Sequence, residues 1–307
     1  MLFLLLLACA GPAPDDSADT SAPSACWDDL ARGDAVTLAA GFPDGTEGIS
    51  FVDGHLLVSF PTGVREVGPD GTLGEATPLD HALGLAPAPG GVLVADPGEF
   101  TFDGSGEDGG VRYVSSVPGY SASLVTGLPN PNFLAASPWG DVLLSDDTGE
   151  TVYAIDYTTG ATPWLEGVPS PNGMGFSPDG GTLYVVSTFE PEPPLWRIPV
   201  TEGVPGTPEI LASFDTGSAP DGLAVDAAGA VWVAANLAGE VIRVDPTGET
   251  ETVGQGLTNP ASLAFGQGDG FDPCSIYYTE LYGEAVGRLA VGVEGLPLTV
   301  APAPPDI

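Results

Sequence analysis

Short apolar runs, punctuated by Gly, Pro and Asp, recur along the chain in a repeating order. Each unit opens on a short apolar stretch. The six openings are Glu47-Gly48-Ile49, Leu83-Gly84-Leu85, Asn132-Phe133-Leu134, Asn172-Gly173-Met174, Asp221-Gly222-Leu223 and Ala261-Ser262-Leu263. They start at 47, 83, 132, 172, 221 and 261, at intervals of 36, 49, 40, 49 and 40 residues. Periods of this size mark a repeat architecture in which each unit is one supersecondary element.

Within a unit the opening strand leads to a Gly/Asp-rich turn such as Ser177-Pro178-Asp179-Gly180. A second apolar strand follows, predicted at 55–60, 92–96, 141–146, 182–187, 230–235 and 275–280. A third, alternating strand is predicted at 64–67, 111–115, 151–156, 195–200, 241–245 and 286–291, and five units show a fourth, for example 161–168 or 249–257. β-Branched and aromatic residues fill these runs, and no segment carries a long stripe at helical spacing. Four antiparallel strands repeated six times predict an all-β fold, a six-bladed β-propeller at 34–300. Near-continuous apolar inner strands suit burial between neighbouring blades. The run 35–42 precedes Glu47 as a fourth strand would, so it is expected to complete the last blade and close the ring. Residues 298–300 compete for the same edge.

Composition narrows the surroundings. The net charge is −36, from 42 acidic residues against 6 basic ones. Such a surface repels phosphate backbones, which excludes nucleic acid as a partner, and it concentrates cations. Residues 1–9 form an apolar run too short to span a bilayer as a helix. Leu6-Leu7-Ala8-Cys9 is similar to a bacterial lipobox, in which the Cys is lipidated and becomes the new N-terminus. The expectation is an exported lipoprotein of the cell envelope, touching a membrane only through that anchor; an ordinary secretory signal is the alternative. Residues 10–33 read as a disordered acidic linker and 301–307 as a tail that frays. With Cys9 lipidated, Cys26 and Cys274 remain. An even pair in an exported chain suggests a disulfide, and strand exchange puts both in the last blade.

In a propeller the first strand of each blade lines the central channel. Glu47, Asn132, Asn172 and Asp221 stand at one aligned point of four blades and are expected to converge near one face. Two carboxylates and two amide oxygens make a hard donor set suited to Ca²⁺, with Mg²⁺ or Mn²⁺ as alternatives. No His stands at the aligned point, which disfavours zinc.

Pro171-Asn172-Gly173-Met174 and Pro220-Asp221-Gly222-Leu223-Ala224-Val225-Asp226, followed by Val231-Trp232-Val233-Ala234 and Val241-Ile242-Arg243-Val244-Asp245, carry a family resemblance. They resemble the senescence-marker-protein, gluconolactonase and luciferin-regenerating-enzyme family and, more distantly, the paraoxonases. The resemblance implies a divalent metal held by Glu47, Asn172 and Asp221, with Asn132 beside the metal or on the substrate. It also implies, from the paraoxonases, a disulfide tying the ends of the ring. Two departures matter. The family's third-blade Arg-x-Asn-Asp is here Asn130-Pro131-Asn132-Phe133, so the Arg that helps hold a sugar acid is absent. The point where paraoxonases place a catalytic His is Leu83, and His81 reads as a rim residue.

The expected function is metal-dependent hydrolysis of a small neutral lactone or related ester, with Asp221 as general base and Asn132 as substrate contact. The alternative is a lipid-anchored binding or scaffold propeller in which calcium only pins the blades.

Overall fold

The computed structural model describes residues 26–27, 29–99, 101 and 105–305. The lipidation expected at Cys9 lies outside the described residues. No helix occurs among the described residues, and the strands form six antiparallel sheets, the blades of a six-bladed β-propeller. The inner strands are Ile49–Val52, Leu85–Ala88, Pro131–Ala136, Pro171–Phe176, Pro220–Val225 and Pro260–Phe265. They are buried on both faces, while outer strands such as Thr250–Gln255 are mostly exposed. Each core cluster lies between neighbouring blades. Phe133 and Leu143 of blade 3, for example, share one with Met174 and Leu183 of blade 4. Blade 4 carries one addition: Pro194–Thr201 pairs with Val204–Pro205 as well as with its outer strand Glu209–Ser213.

Ala35–Ala40 pairs antiparallel with Ala285–Ala290 as the outer strand of the last blade. The competition with residues 298–300 is thereby resolved, because that segment forms no strand. It belongs instead to a strap across the far end of the channel. Gly295 bridges Asp226, Leu296 N–H donates to Val225 O at 2.9 Å, and Ala301 N–H donates to Pro87 O at 2.7 Å. Ala301, the first residue of the tail expected to fray, is therefore anchored and buried.

The linker boundary also moves. Cys26 is bonded to Cys274 across 248 residues of sequence. Asp29 receives both Arg288 guanidinium nitrogens, at 2.7 and 2.8 Å, and Arg288 lies 4.7 Å from the Trp27 ring. Arg32 is forked to Glu251 at 2.7 and 2.8 Å. The described residues from Cys26 to Gly33 are thus docked on the ring, because Arg288 and Cys274 give them partners that composition does not reveal.

Candidate active site

Four of the six inner strands start alike. Asn130, Ser170, Ala219 and Asn259 have φ of 25°, 47°, 46° and 42°, and each stands immediately before the Pro that opens an inner strand. The left-handed residue turns the chain, and the Pro sets the entry into the strand. Pairing then skips two residues, between Pro131 and Leu134, Pro171 and Met174, Pro220 and Leu223, and Pro260 and Leu263. A bulge of this kind re-aims a side chain. The skipped positions contain Asn132, Asn172 and Asp221, which line a cavity at the mouth of the channel together with Glu47. All four expected site residues are thus brought together.

The Gly after a site residue serves close approach rather than a turn. A Cβ on Gly173 would lie 2.5 Å from Asp221 O, and one on Gly222 would lie 2.7 Å from Ala261 O. Glycine lets these inner strands lean on the opening of the next blade's inner strand. Hydroxyls stitch the same level. Gly48 N–H donates to Ser59 Oγ at 2.7 Å, and Ser59 donates to Leu83 O at 2.7 Å. Ser262 N–H donates to Thr279 Oγ1 at 2.8 Å, and Thr279 donates to Glu47 O at 2.5 Å.

A second ring was missed at the level of sequence. Pro131, Pro171, Pro220 and Pro260 pair with Asp146, Ser187, Ala235 and Glu280. The next residues are Asp147, Thr188, Asn236 and Leu281, and all four line the cavity. Asp147 is the third buried carboxylate of the floor. It is hydrogen-bonded by the Asn132 amide, and Asn172 Nδ2 donates to it at 3.4 Å. Asn172 Nδ2 also donates to Thr188 Oγ1 at 3.1 Å, and Thr188 donates to Pro220 O at 2.8 Å. Asn236 Nδ2 donates to Asp221 Oδ2 at 3.2 Å. The signal that finds this ring is the position one past the second strand, aligned through the paired prolines.

The electrostatics are unbalanced. Burial, and then repulsion from Asp147, push the Glu47 carboxyl up to about 8. Burial is also the main cause at Asp147, pushed up to about 7 against hydrogen bonds that favour its charge. Asp221 is held well above the usual range by burial and then by Glu47 and Asp147. No arginine or histidine lines the cavity. Glu47 Oε2 and Asn172 Oδ1 are buried there without a hydrogen-bond partner. Buried carboxylates without a counter-charge are costly, and orphaned buried oxygens are uncommon, so the donor set fits a hard cation. Among the described residues no three His, Cys, Asp or Glu side chains converge closely enough to hold an ion by themselves. The amide oxygens are therefore part of any such donor set. His81 lies outside the cavity lining, 3.9 Å from Asp96.

Comparison with known proteins agrees with this geometry. Residues 129–272 match the family described as SMP-30/Gluconolactonase/LRE-like region. The match contains Asn132, Asp147, Asn172 and Asp221 and stops short of Glu47. The chain is 35% identical over 152 residues to a 6-deoxy-6-sulfogluconolactonase of Pseudomonas putida, covering 46% of this chain and 50% of that one. It is 31% identical over 182 residues to a pentonolactonase of Haloferax volcanii, covering 57% of this chain and 61% of that one. The matches thus span about half to three-fifths of these relatives. In fold, it superposes on a calcium-binding regucalcin of Agrobacterium tumefaciens with a TM-score of 0.69 at 20% identity, over 89% of this chain and 99% of that one. The chain resembles the gluconolactonase-like family in sequence over its central blades and shares the regucalcin fold around the whole ring.

Proposed function

We propose that this chain is a metal-dependent hydrolase of the gluconolactonase-like type, acting on a lactone or related ester. The carrying observation is the floor of the mouth: Glu47, Asp147 and Asp221 are buried together without a basic partner, below a cavity of about 340 Å³. That volume falls in the range of small-molecule sites. The two curated relatives, named as lactonases, support the reaction class.

Glu47, Asn172 and Asp221 would hold a divalent cation, Ca²⁺ first and Mg²⁺ or Mn²⁺ as alternatives, and Asn132 would complete the set or contact the substrate. Bound there, the cation supplies Lewis-acid polarisation of the carbonyl and offsets charge developing on its oxygen. The chain's own residues do the rest. Asp221, oriented by Asn236, takes the proton of the water that attacks the carbonyl carbon. The ring C–O bond breaks, the leaving oxygen takes up a proton, and a hydroxy acid is released. Asp147 anchors the amide groups of Asn132 and Asn172, which turns their oxygens away from it. A cation that only pinned the blades would need no such opening above it.

Calorimetric titration of chelator-stripped protein should find one divalent site, lost in Asp221→Ala and Glu47→Ala. A lactone and ester panel with and without chelator should show cation-dependent turnover. Full binding in both variants would overturn the ligand assignment, and a silent panel would overturn the reaction.

The same reading extends to location. The Cys26–Cys274 bond supports an oxidising compartment, and Cys9 is proposed to carry a lipid anchor at the cell envelope. Mass spectrometry of the mature N-terminus tests this, and an unmodified Cys9 would make the protein a secreted or periplasmic one.

A further inference from the structure

Two residues past the second strand, three consecutive blades present a large apolar side chain to solvent. Phe189 of blade 4 is 54% exposed, Leu237 of blade 5 is 61% exposed and Tyr282 of blade 6 is 74% exposed. Their places are equivalent, because each directly follows a residue of the floor ring, Thr188, Asn236 or Leu281. All three line the same cavity as the carboxylates, and Leu83 and Pro97 face it from blade 2. Scattered exposed apolar residues are ordinary, but an arc at one repeated position beside a site calls for a ligand.

Charge removes the other recognition modes. The chain has six arginines and no lysine. Arg32, Arg112, Arg197, Arg243 and Arg288 are each ion-paired, and Arg65 lies 4.9 Å from the Phe60 ring. None of the six lines the cavity. An anionic substituent seated at the rim would find no arginine or lysine side chain to pair with. A polyhydroxylated substituent would lie against Phe189, Leu237 and Tyr282, which offer one hydroxyl between them.

We propose that the substrate is a lactone or ester bearing an uncharged alkyl or aryl substituent, seated on the Phe189–Leu237–Tyr282 arc while its carbonyl sits over the polar floor. This specificity rests on the hydrolase reading above, and the test keeps the two apart. Turnover is measured on γ-butyrolactones carrying methyl to octyl chains at the ring carbon that bears the ester oxygen, beside gluconolactone. Octyl-length chains ending in a carboxylate or an ammonium group are included. Burying a methylene completely is worth roughly fourfold in affinity. The half-open arc should give kcat/KM rising about twofold per methylene over the first few carbons, and a charged end should erase most of that gain. Serine at all three positions should flatten the series; these side chains are more than half exposed, so folding is spared.

Binding of 2-alkylcyclopentanones, which carry the carbonyl without the scissile ester bond, is followed by calorimetry in wild type and triple variant. Affinity that rises with chain length and is lost in the variant upholds the proposal even if no lactone turns over. That result would sink only the hydrolase reading. A flat series in both assays overturns the proposal while active hydrolysis keeps the reaction. Preference for the ammonium chain would assign the mouth to cations. A variant whose only defect is binding to neutral phosphatidylcholine vesicles would reassign the arc to a lipid surface, and either outcome refutes the apolar-substituent assignment.

Discussion

The same six inner strands end in two unlike mouths. At their starts, left-handed residues, bulges and close-approach glycines aim Asn132, Asn172 and Asp221 into an open cavity, with three carboxylates that repel one another. At their ends the strands run regularly into apolar residues, among them Ala136, Phe176, Val225 and Phe265, and Leu296, Pro297 and Leu298 of the C-terminal strap cover them. The cavity left under the strap is about 90 Å³. One mouth gathers buried carboxylates at a local cost in stability, and the other contributes apolar burial. The ring tolerates the first because the second, together with the closing blade, is so well tied.

The largest effect expected at the open mouth is chemical. Asp221→Asn keeps an oxygen for a cation but cannot take a proton, so kcat should fall about 10³-fold, within the usual span for a lost general base. Stopped assays with saturating calcium, alongside calorimetric cation binding, check this. Retained cation binding with full turnover would remove Asp221 from the mechanism.

Next comes the pH response of cation-free protein. Glu47 and Asp147 carry folded-state pKa values of about 8 and about 7, above the ordinary carboxylate range, and Asp221 is raised as well. Between the ordinary and the raised values the folded state binds more protons than the unfolded one. Stability is therefore highest near pH 4–5 and falls as pH rises through about 8, by several kcal/mol. The lowered groups Asp29 and Glu251 act below this window. Thermal melts with chelator should show the decline, and excess calcium should flatten it. A chelated protein that gains stability from pH 5 to 8 would contradict the unbalanced floor.

These two effects also mark what sequence makes legible. The ring, its closing strand and four floor residues follow from alternation and a period, because each is one residue at one repeated point. Asp147 escapes notice because Asp146-Asp147-Thr148-Gly149 reads as ordinary turn chemistry. Only the pairing of Pro131 with Asp146 aligns it with Thr188 and Asn236. The strap escapes for another reason. Residues 298–300 read as a competing edge strand and 301–307 as a loose end, whereas the order of the strap comes from contacts with Val225 and Pro87, far away in sequence.

A smaller effect is expected at the closing disulfide, whose cysteines line neither mouth. Cys274→Ser opens a link spanning 248 residues and should cost about 2–5 kcal/mol. Arg288, held by Asp29 and Asp272, should keep the chain around Trp27 docked and limit the loss. Chemical denaturation of the variant against wild type measures it. Equal midpoints would mean that the ion pairs alone close the ring.

The smallest effect tests whether the mouths are independent. Leu298 of the strap is half-buried and packs against the cluster that contains Ile49, Phe51 and Phe60. Leu298→Ser removes apolar contact without opening a deep cavity, so about 1–2 kcal/mol is expected. In a chain of this size that lowers Tm by roughly 2–3 °C. Cation affinity and kcat/KM should stay within about twofold of wild type, because distant sites without shared partners act additively. The path from Leu298 to the floor runs along Ile49, only two residues from Glu47, so the expectation is a demanding one. A variant with unchanged Tm and altered cation affinity would show that the strap sets the position of the first inner strand. The closed mouth would then be part of the machinery of the open one.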